Sequence, residues 1–244
     1  MDRSTRYVML ITSLPYHGPL FGAHQTPLSR VRLNNRLRIL EEADAKALQA
    51  LSSVLHWVHQ SMTVTDAELI ERAIRFETAW GEGFLTDVMR FRMEMRTVYT
   101  ALRRRRRGET TPPTGERWGY GRWVRHIERY WNEPGFRLQR VYPWVNEAER
   151  LIEARDSLGL ERLLLGIVWD YLIRISEGHE FDFEAVVIYV LRWDLIARWS
   201  SYDGARAVQR FNALVDTGLG RHRYLFDTPQ PAPNQPVMDI ADDE

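Results

Sequence analysis

Residues Phe84–Gly108 read FLTDVMRFRMEMRTVYTALRRRRRG, and this stretch predicts the helix around which the rest of the chain is arranged. Its apolar side chains recur at spacings of 4, 3, 4, 3 and 4, the pattern of one helix face. They occupy Phe84, Val88, Phe91, Met95, Val98 and Leu102. Five arginines and Gly108 follow, and cations and a glycine both suit a helix C-terminus. We therefore predict a long core helix that stops at Gly108.

The arginine run is the candidate interaction site of the sequence and consists of Arg103, Arg104, Arg105, Arg106 and Arg107. Three interpretations stay open: a solvated helix end, a contact with an acidic protein surface, or a site for nucleic acid or anionic lipid. The chain carries 33 Lys and Arg against 33 Asp and Glu, so its net charge is zero. An affinity of the whole protein for nucleic acid is therefore not indicated, and we expect no direct nucleic-acid partner.

The composition is that of a soluble globular protein, with 44% hydrophobic and 27% charged residues among 244. The absence of cysteine excludes disulfides, thiolate metal sites and cysteine nucleophiles. An apolar run at Tyr7–Leu14 is too short and too polar to span a bilayer. We expect a cytoplasmic protein that meets a membrane only through its partners.

The fold class predicted from the pattern is all-α, with multi-helix bundle lobes and one short N-terminal extended segment. Tyr7–Leu14 is the extended segment, because it is rich in β-favouring residues and Pro15 ends it. Ser29 and Asp44 are predicted N-caps, and Thr65 with Glu68 forms a capping box.

The domain prediction places an N-terminal lobe at 1–107, an inter-lobe loop at 108–121 and a C-terminal lobe at 122–228. The loop has the strongest cluster of helix breakers, and a proline-rich, acidic tail at 229–244 is predicted to be disordered. Phe183–Trp199 is apolar on most of its circumference and is therefore predicted to be a central helix. On it, Asp194 is expected to pair with an arginine such as Arg198, four residues later.

The sequence shows no convincing catalytic, cofactor-binding or metal-binding motif, so we expect a protein that is not an enzyme and needs no cofactor. His56 and His59 have a spacing that suits two metal ligands, but no third ligand is placed near them. Gly81 and Gly83 supply only two of the three glycines of a dinucleotide-binding loop, and no predicted strand precedes them.

Several segments together resemble a bacterial family that is encoded beside the subunits of V/A-type ATPases. The resemblance rests on three parts of the chain: the opening Tyr7–Pro15 (YVMLITSLP); the first helix, with Leu28–Leu33 (LSRVRL) and Arg36–Arg38 (RLR); and the last long helix, with Gly178–Ala185 (GHEFDFEA), Tyr189–Leu191 and Arg198–Trp199. That family is similar in turn to the funnel-shaped rotor component of these ATPases that is designated C in the A/V-type enzymes and d in eukaryotes.

The resemblance implies an all-helical socket protein without catalysis, placed between the rotor stalk and the membrane ring of a rotary ATPase. Its partners would be the proteins of the stalk and of the ring. At 244 residues the chain is short for the three lobes that the resemblance implies. Two alternatives remain from other classes: a helical phosphate- or nucleic-acid-binding protein that uses Arg103–Arg107, and an enzyme of unrecognised type.

Overall fold

The computed structural model describes residues 2–55, 65–115 and 117–201. Within these ranges the fold is all-α, as predicted, and contains no strand. The helices are α1 Arg3–Ser13, α2 Arg30–Leu37, α3 Glu42–Leu55, α4 Asp66–Trp80, α5 Phe84–Arg106, α6 Val124–Arg129, α7 Trp144–Glu153, α8 Ser157–Ile175 and α9 at 183–201. Short 3-10 turns lie at Leu20–Gly22 and Pro134–Arg137. None of the helices in the described ranges has the length and apolar character needed to cross a bilayer.

Helix α5 confirms the prediction made from Phe84–Gly108 and lies at the centre of the fold. It contacts α3, α4, α6 and α7, and it buries Met89 and Met93 in addition to most of the predicted face. Phe84 and Phe91 are only partly buried. The helix ends as predicted: Gly108 has a φ of +96° and donates its N–H to the carbonyl of Arg105 at 3.0 Å.

The predicted extended segment at Tyr7–Leu14 is wrong, because residues Arg3–Ser13 form α1. Tyr7 and Leu10 lie one helical turn apart and are both 2% exposed, so tertiary burial outweighs the β-preference of the individual residues. Leu14 leaves the helix with an extended backbone, as the residue before a proline does.

Asp44 is not the N-cap that the sequence suggested, because α3 already begins at Glu42. The residue is 8% exposed, and its carboxylate accepts hydrogen bonds from the Tyr7 hydroxyl and the Arg3 guanidinium. Asp44 therefore ties α1 to α3, a long-range role that a local capping rule does not contain.

Two other predicted caps are confirmed. The Ser29 hydroxyl accepts from the Arg32 N–H at 3.4 Å at the start of α2. Thr65 and Glu68 form the reciprocal pair of a capping box, with distances of 3.2 and 3.0 Å. Both involve neighbours in sequence, so the local pattern is sufficient to find them.

The described residues belong to one compact unit, Met1–Ser201, whose main hydrophobic core draws on residues from both predicted lobes. The predicted inter-lobe loop at 108–121 lies inside this unit, and the predicted tail at 229–244 lies outside the described residues. Helix α9 buries apolar side chains from Phe183 to Ile196, as its apolar circumference predicted. Its Asp194 accepts from Arg30 at 2.8 Å, while Arg198, the partner suggested by spacing, donates to Glu161 at 2.7 Å.

Candidate functional site

One concave surface of the described residues is an open groove of about 1030 Å³, which we name the arginine groove. One side is formed by α4 and α5 and the other by the segment 117–125, with contributions from Tyr142 and from the end of α8. Its charged lining residues are Arg90, Arg117, Arg122, Arg125, Arg174, Glu77, Asp87 and Glu94. No single helix presents this set, so the groove exists only in the folded chain.

The wall at 117–121 is attached to α5 through its backbone. The Tyr120 N–H donates to the Thr97 hydroxyl at 2.8 Å, and both groups are buried. A Cβ at Gly119 would lie 2.7 Å from Thr97 Cγ2, and one at Gly121 would lie 2.7 Å from Glu94 Cγ. Glycine is therefore required for this close approach, and the loop that the sequence marked by its breakers is a fixed wall of the groove.

Glu77 and Arg90 form the first charged contact of the groove. The Glu77 carboxylate accepts from the Tyr120 hydroxyl at 2.5 Å and from Arg90 Nε at 2.8 Å. The Tyr120 hydrogen bond and then the arginine lower the pKa of Glu77. Arg90 also holds Glu82 with both terminal nitrogens, at 2.6 and 2.7 Å. This arginine is therefore fully committed to the α4–α5 connection.

Glu94 is the second carboxylate of the groove that already has partners within the chain. It is 9% exposed and accepts from the Tyr142 hydroxyl at 2.9 Å, while Arg122 Nε lies 3.4 Å from it. Burial and then the Glu94 hydrogen bond raise the pKa of Tyr142 to about 12, so its phenol remains a donor at neutral pH. Glu94 is thus held by two partners and is not a free base.

Three arginines of the groove differ from Arg90 and Arg122. Arg117, Arg125 and Arg174 are exposed, and none has a carboxylate partner among the residues that the structure describes. Arg174 lies over the ring of Tyr171 at 5.7 Å. Tyr171 in turn stacks on Phe91 of the groove, with centroids 3.7 Å apart and planes at 9°. The groove therefore combines uncompensated positive charge with an aromatic surface.

The structure separates the five arginines that the sequence singled out. Arg105 is largely enclosed: it donates to the carbonyls of Glu133 and Trp131, at 2.7 and 3.2 Å, and to the Glu149 carboxylate. Its guanidinium lies 4.6 Å from the centre of the Phe136 ring, and burial lowers its pKa.

Arg104 pairs with Glu109 at 3.3 Å, whereas Arg103, Arg106 and Arg107 are exposed. Two members of the run are therefore built into the fold. The prediction that this run is an interaction site therefore applies only to Arg103, Arg106 and Arg107.

The segments that carry the resemblance meet in one place, which we name the terminal junction. Tyr189 on α9 donates its hydroxyl to the Pro15 carbonyl at 2.9 Å. Trp193 donates its indole N–H to the Leu28 carbonyl at 2.9 Å and packs with Leu28 and Leu33 in a small apolar cluster. The ion pair between Arg30 and Asp194 closes the same contact. Segments some 165 residues apart in sequence thus form one structural feature.

A candidate metal group is also present at the start of α9. Ligand atoms of His179, Asp182 and Glu184 all lie within 4.8 Å of one another. Both oxygens of Asp182 are already engaged, one by the Ala185 N–H at 2.8 Å and the other by His179 Nδ1 at 2.6 Å. The arrangement is accounted for as a helix N-cap. The histidine pair considered from sequence, His56 and His59, lies outside the described residues.

Sequence reasoning did not find the arginine groove. Its local signal was the run Arg117–Arg125, RWGYGRWVR, in which arginines alternate with aromatic residues and glycines. The part of this run up to Gly121 was predicted to belong to the inter-lobe loop and the part from Arg122 to the C-terminal lobe. Nothing local indicates that Tyr120 contacts Glu77 or that Arg122 contacts Glu94.

Comparison with known proteins identifies one family. The model of DUF2764, described as a protein of unknown function, matches residues 59–219, which are 161 of the 244. The match includes every residue that lines the arginine groove as well as α9, and it begins after α1 and α2. No curated protein and no solved structure matches the chain. The chain therefore belongs to the DUF2764 family.

Proposed function

We propose that this chain is a non-catalytic central-stalk or socket component of a V/A-type rotary ATPase, linking the rotor stalk to the membrane ring. The terminal junction carries the proposal. The opening segment up to Pro15, the segment of α2 and the segment of α9 resemble one family of ATPase-associated proteins. Helix α9 contacts each of the other two segments, through Tyr189 in one case and through Trp193 and Asp194 in the other. A resemblance that coincides with one packed feature is stronger support than three unrelated matches.

The build of the chain is compatible with a component that transmits torque. Such a component must deform little, and close-packed cores have low compressibility. Here one hydrophobic core runs through the compact unit, and long-range polar contacts such as Asp44 with Tyr7 and Glu149 with Arg105 fix the helices to each other. In this proposal the protein is cytoplasmic and reaches the membrane only through its partners.

The test is co-purification from the native organism with a tag on the chain. We expect the stalk and ring proteins of the rotary ATPase to be recovered in fixed ratio, and their genes to lie beside this one. Deleting the gene should reduce ATP-driven ion transport in membrane vesicles more than ATP hydrolysis, because the coupling component is lost. Absence of rotary ATPase proteins from both the purified material and the gene neighbourhood would rule the proposal out.

A further inference from the structure

We propose that the arginine groove is a docking surface for an acidic, amphipathic segment of a partner protein. Charge is the first reason. The groove is lined by five arginines and three carboxylates. Arg90 is held by Glu77 and Glu82, and Arg122 lies against Glu94. Arg117, Arg125 and Arg174 remain as positive charges without carboxylate partners among the described residues.

The aromatic surface is the second reason. Phe91 stacks on Tyr171, and the partly exposed Ile74 and Val124 add aliphatic lining to the same groove. Arginines beside accessible aromatic and aliphatic groups are typical of the energetic centre of protein interfaces. A partner that satisfies both features carries carboxylates on one side and apolar side chains on the other.

The exposed carboxylate of Asp87 argues against nucleic acid as the occupant. A duplex carries about one negative charge per 1.7 Å of its axis, so any nucleic acid laid along the groove would pass close to Asp87. Asp87 lies 4.0 Å from Arg90, a nitrogen-to-oxygen distance at the limit of an ion pair, and its side chain is 67% exposed. A protein segment can place its carboxylates opposite Arg117, Arg125 and Arg174 and leave a neutral residue opposite Asp87.

The groove is also prepared for binding before any partner arrives. Its wall is fixed to α5 by the buried hydrogen bond between Tyr120 and Thr97, and its internal carboxylates are already satisfied. Ordering the protein side of the contact therefore costs little free energy, since the groove residues are positioned by the fold. What binding adds is the neutralisation of three exposed guanidinium groups.

The experiment uses the purified full chain and a fluorescein-labelled peptide of about five helical turns, with a glutamate face and a leucine face. Binding is followed by anisotropy at low and physiological salt. The groove variant combines Arg117→Ser, Arg125→Ser and Arg174→Ser. The matched control combines Arg103→Ser, Arg106→Ser and Arg107→Ser, three exposed arginines whose loss changes the net charge equally.

We expect the groove variant to lose roughly 30-fold in affinity, because each exposed ion pair contributes a few-fold. The control variant should lose less than about twofold. Peptides in which glutamines replace the glutamates, or serines replace the leucines, should bind weakly to the unchanged protein, which keeps the test independent of variant folding. Equal losses in the two variants, or none in the groove variant, would overturn the proposal. Tighter binding of single-stranded DNA of equal charge would overturn the choice of a protein segment.

This inference does not depend on the rotary ATPase, and the two proposals can fail separately. If the wild-type chain recovers no ATPase protein from cells, the proposed function fails while the peptide result stands. If the wild-type chain and the control variant recover the ATPase proteins, loss of one of them by the groove variant would identify that protein as the partner of the groove. Failure of the wild-type chain to bind the acidic, amphipathic peptide would overturn the groove proposal and leave the proposed function standing.

Discussion

His17 offers the sharpest test of the energetics of the terminal junction. It follows α1 and is 7% exposed, with its ring 3.9 Å from the ring of Tyr189 and edge-on to Trp169 at 6.4 Å. Burial and then the nearby Arg192 guanidinium lower the pKa of His17 to about 4, partly offset by a hydrogen bond to the Tyr189 backbone. Its Nε2 is buried without a hydrogen-bond partner among the described residues. The folded chain therefore keeps this imidazole neutral down to about pH 4.

The consequence is a loss of stability as the pH falls. An unfolded histidine titrates near pH 6.5, so below that pH the unfolded chain gains a proton that the folded chain takes up only near pH 4. The stabilising contribution is complete above pH 6.5 and disappears as the pH falls through this window. The shift is worth about 3 kcal/mol in all, of which about 2 kcal/mol is lost between pH 8 and pH 5.

The assay is urea unfolding followed by tryptophan fluorescence across this pH range, comparing the wild type with His17→Phe. Phenylalanine keeps an aromatic ring against Tyr189 and Trp169 and cannot take a proton. The free energy of unfolding of the variant, relative to that of the wild type, should rise by about 2 kcal/mol as the pH falls from 8 to 5. Parallel curves for wild type and His17→Phe would refute the reasoning.

Three further substitutions test single contacts by the same unfolding measurement. Glu149→Gln removes the carboxylate that contacts the partly buried Arg105 directly and should cost about 2 kcal/mol, and a loss below about 0.5 kcal/mol would contradict an enclosed pair. Gly121→Ala should cost about 2 to 3 kcal/mol, since φ is +89° and the new Cβ meets a side chain at 2.7 Å. Its control, Gly115→Ala, has a φ of +77° but open space, so it should cost only about 1 kcal/mol; equal costs would show that the contact is unimportant. Thr65→Ala removes half of a capping box and should cost about 1 kcal/mol. An unchanged free energy of unfolding would contradict this, because water would then replace the cap.

The features that sequence reasoning predicted correctly are those fixed by neighbours along the chain. Helix α5, its glycine stop and the capping box at Thr65 depend on residues at most a few turns apart. The errors occurred where distant partners decide the outcome. Asp44 looked like an N-cap because its sequence neighbours suit one, yet its carboxylate is used by Tyr7, 37 residues away. Tyr7–Leu14 looked extended because its propensities are β-leaning, yet burial against other helices makes it helical.

The arginine groove could not be predicted for a related reason. Arg117 and Arg174 are 57 positions apart, and they reach one surface only because α8 packs beside α5, where Tyr171 stacks on Phe91. Whether an arginine is available for a partner also depends on which carboxylates the fold has placed beside it. That information is tertiary, and neither net charge nor local charge density contains it.

The two arginine clusters of this chain show how misleading local charge density can be. The run Arg103–Arg107 is the most conspicuous basic feature in the sequence, yet Arg105 is enclosed by Glu149 and two carbonyls and Arg104 pairs with Glu109. The scattered Arg117, Arg125 and Arg174 attract no notice in the sequence, yet the fold gathers them beside an aromatic surface. A buried arginine needs its partners within the chain, whereas an exposed and preorganised one gains most from a partner outside it. The functional arginines of this protein are therefore to be sought where carboxylates are missing, and the two triple variants distinguish the clusters directly.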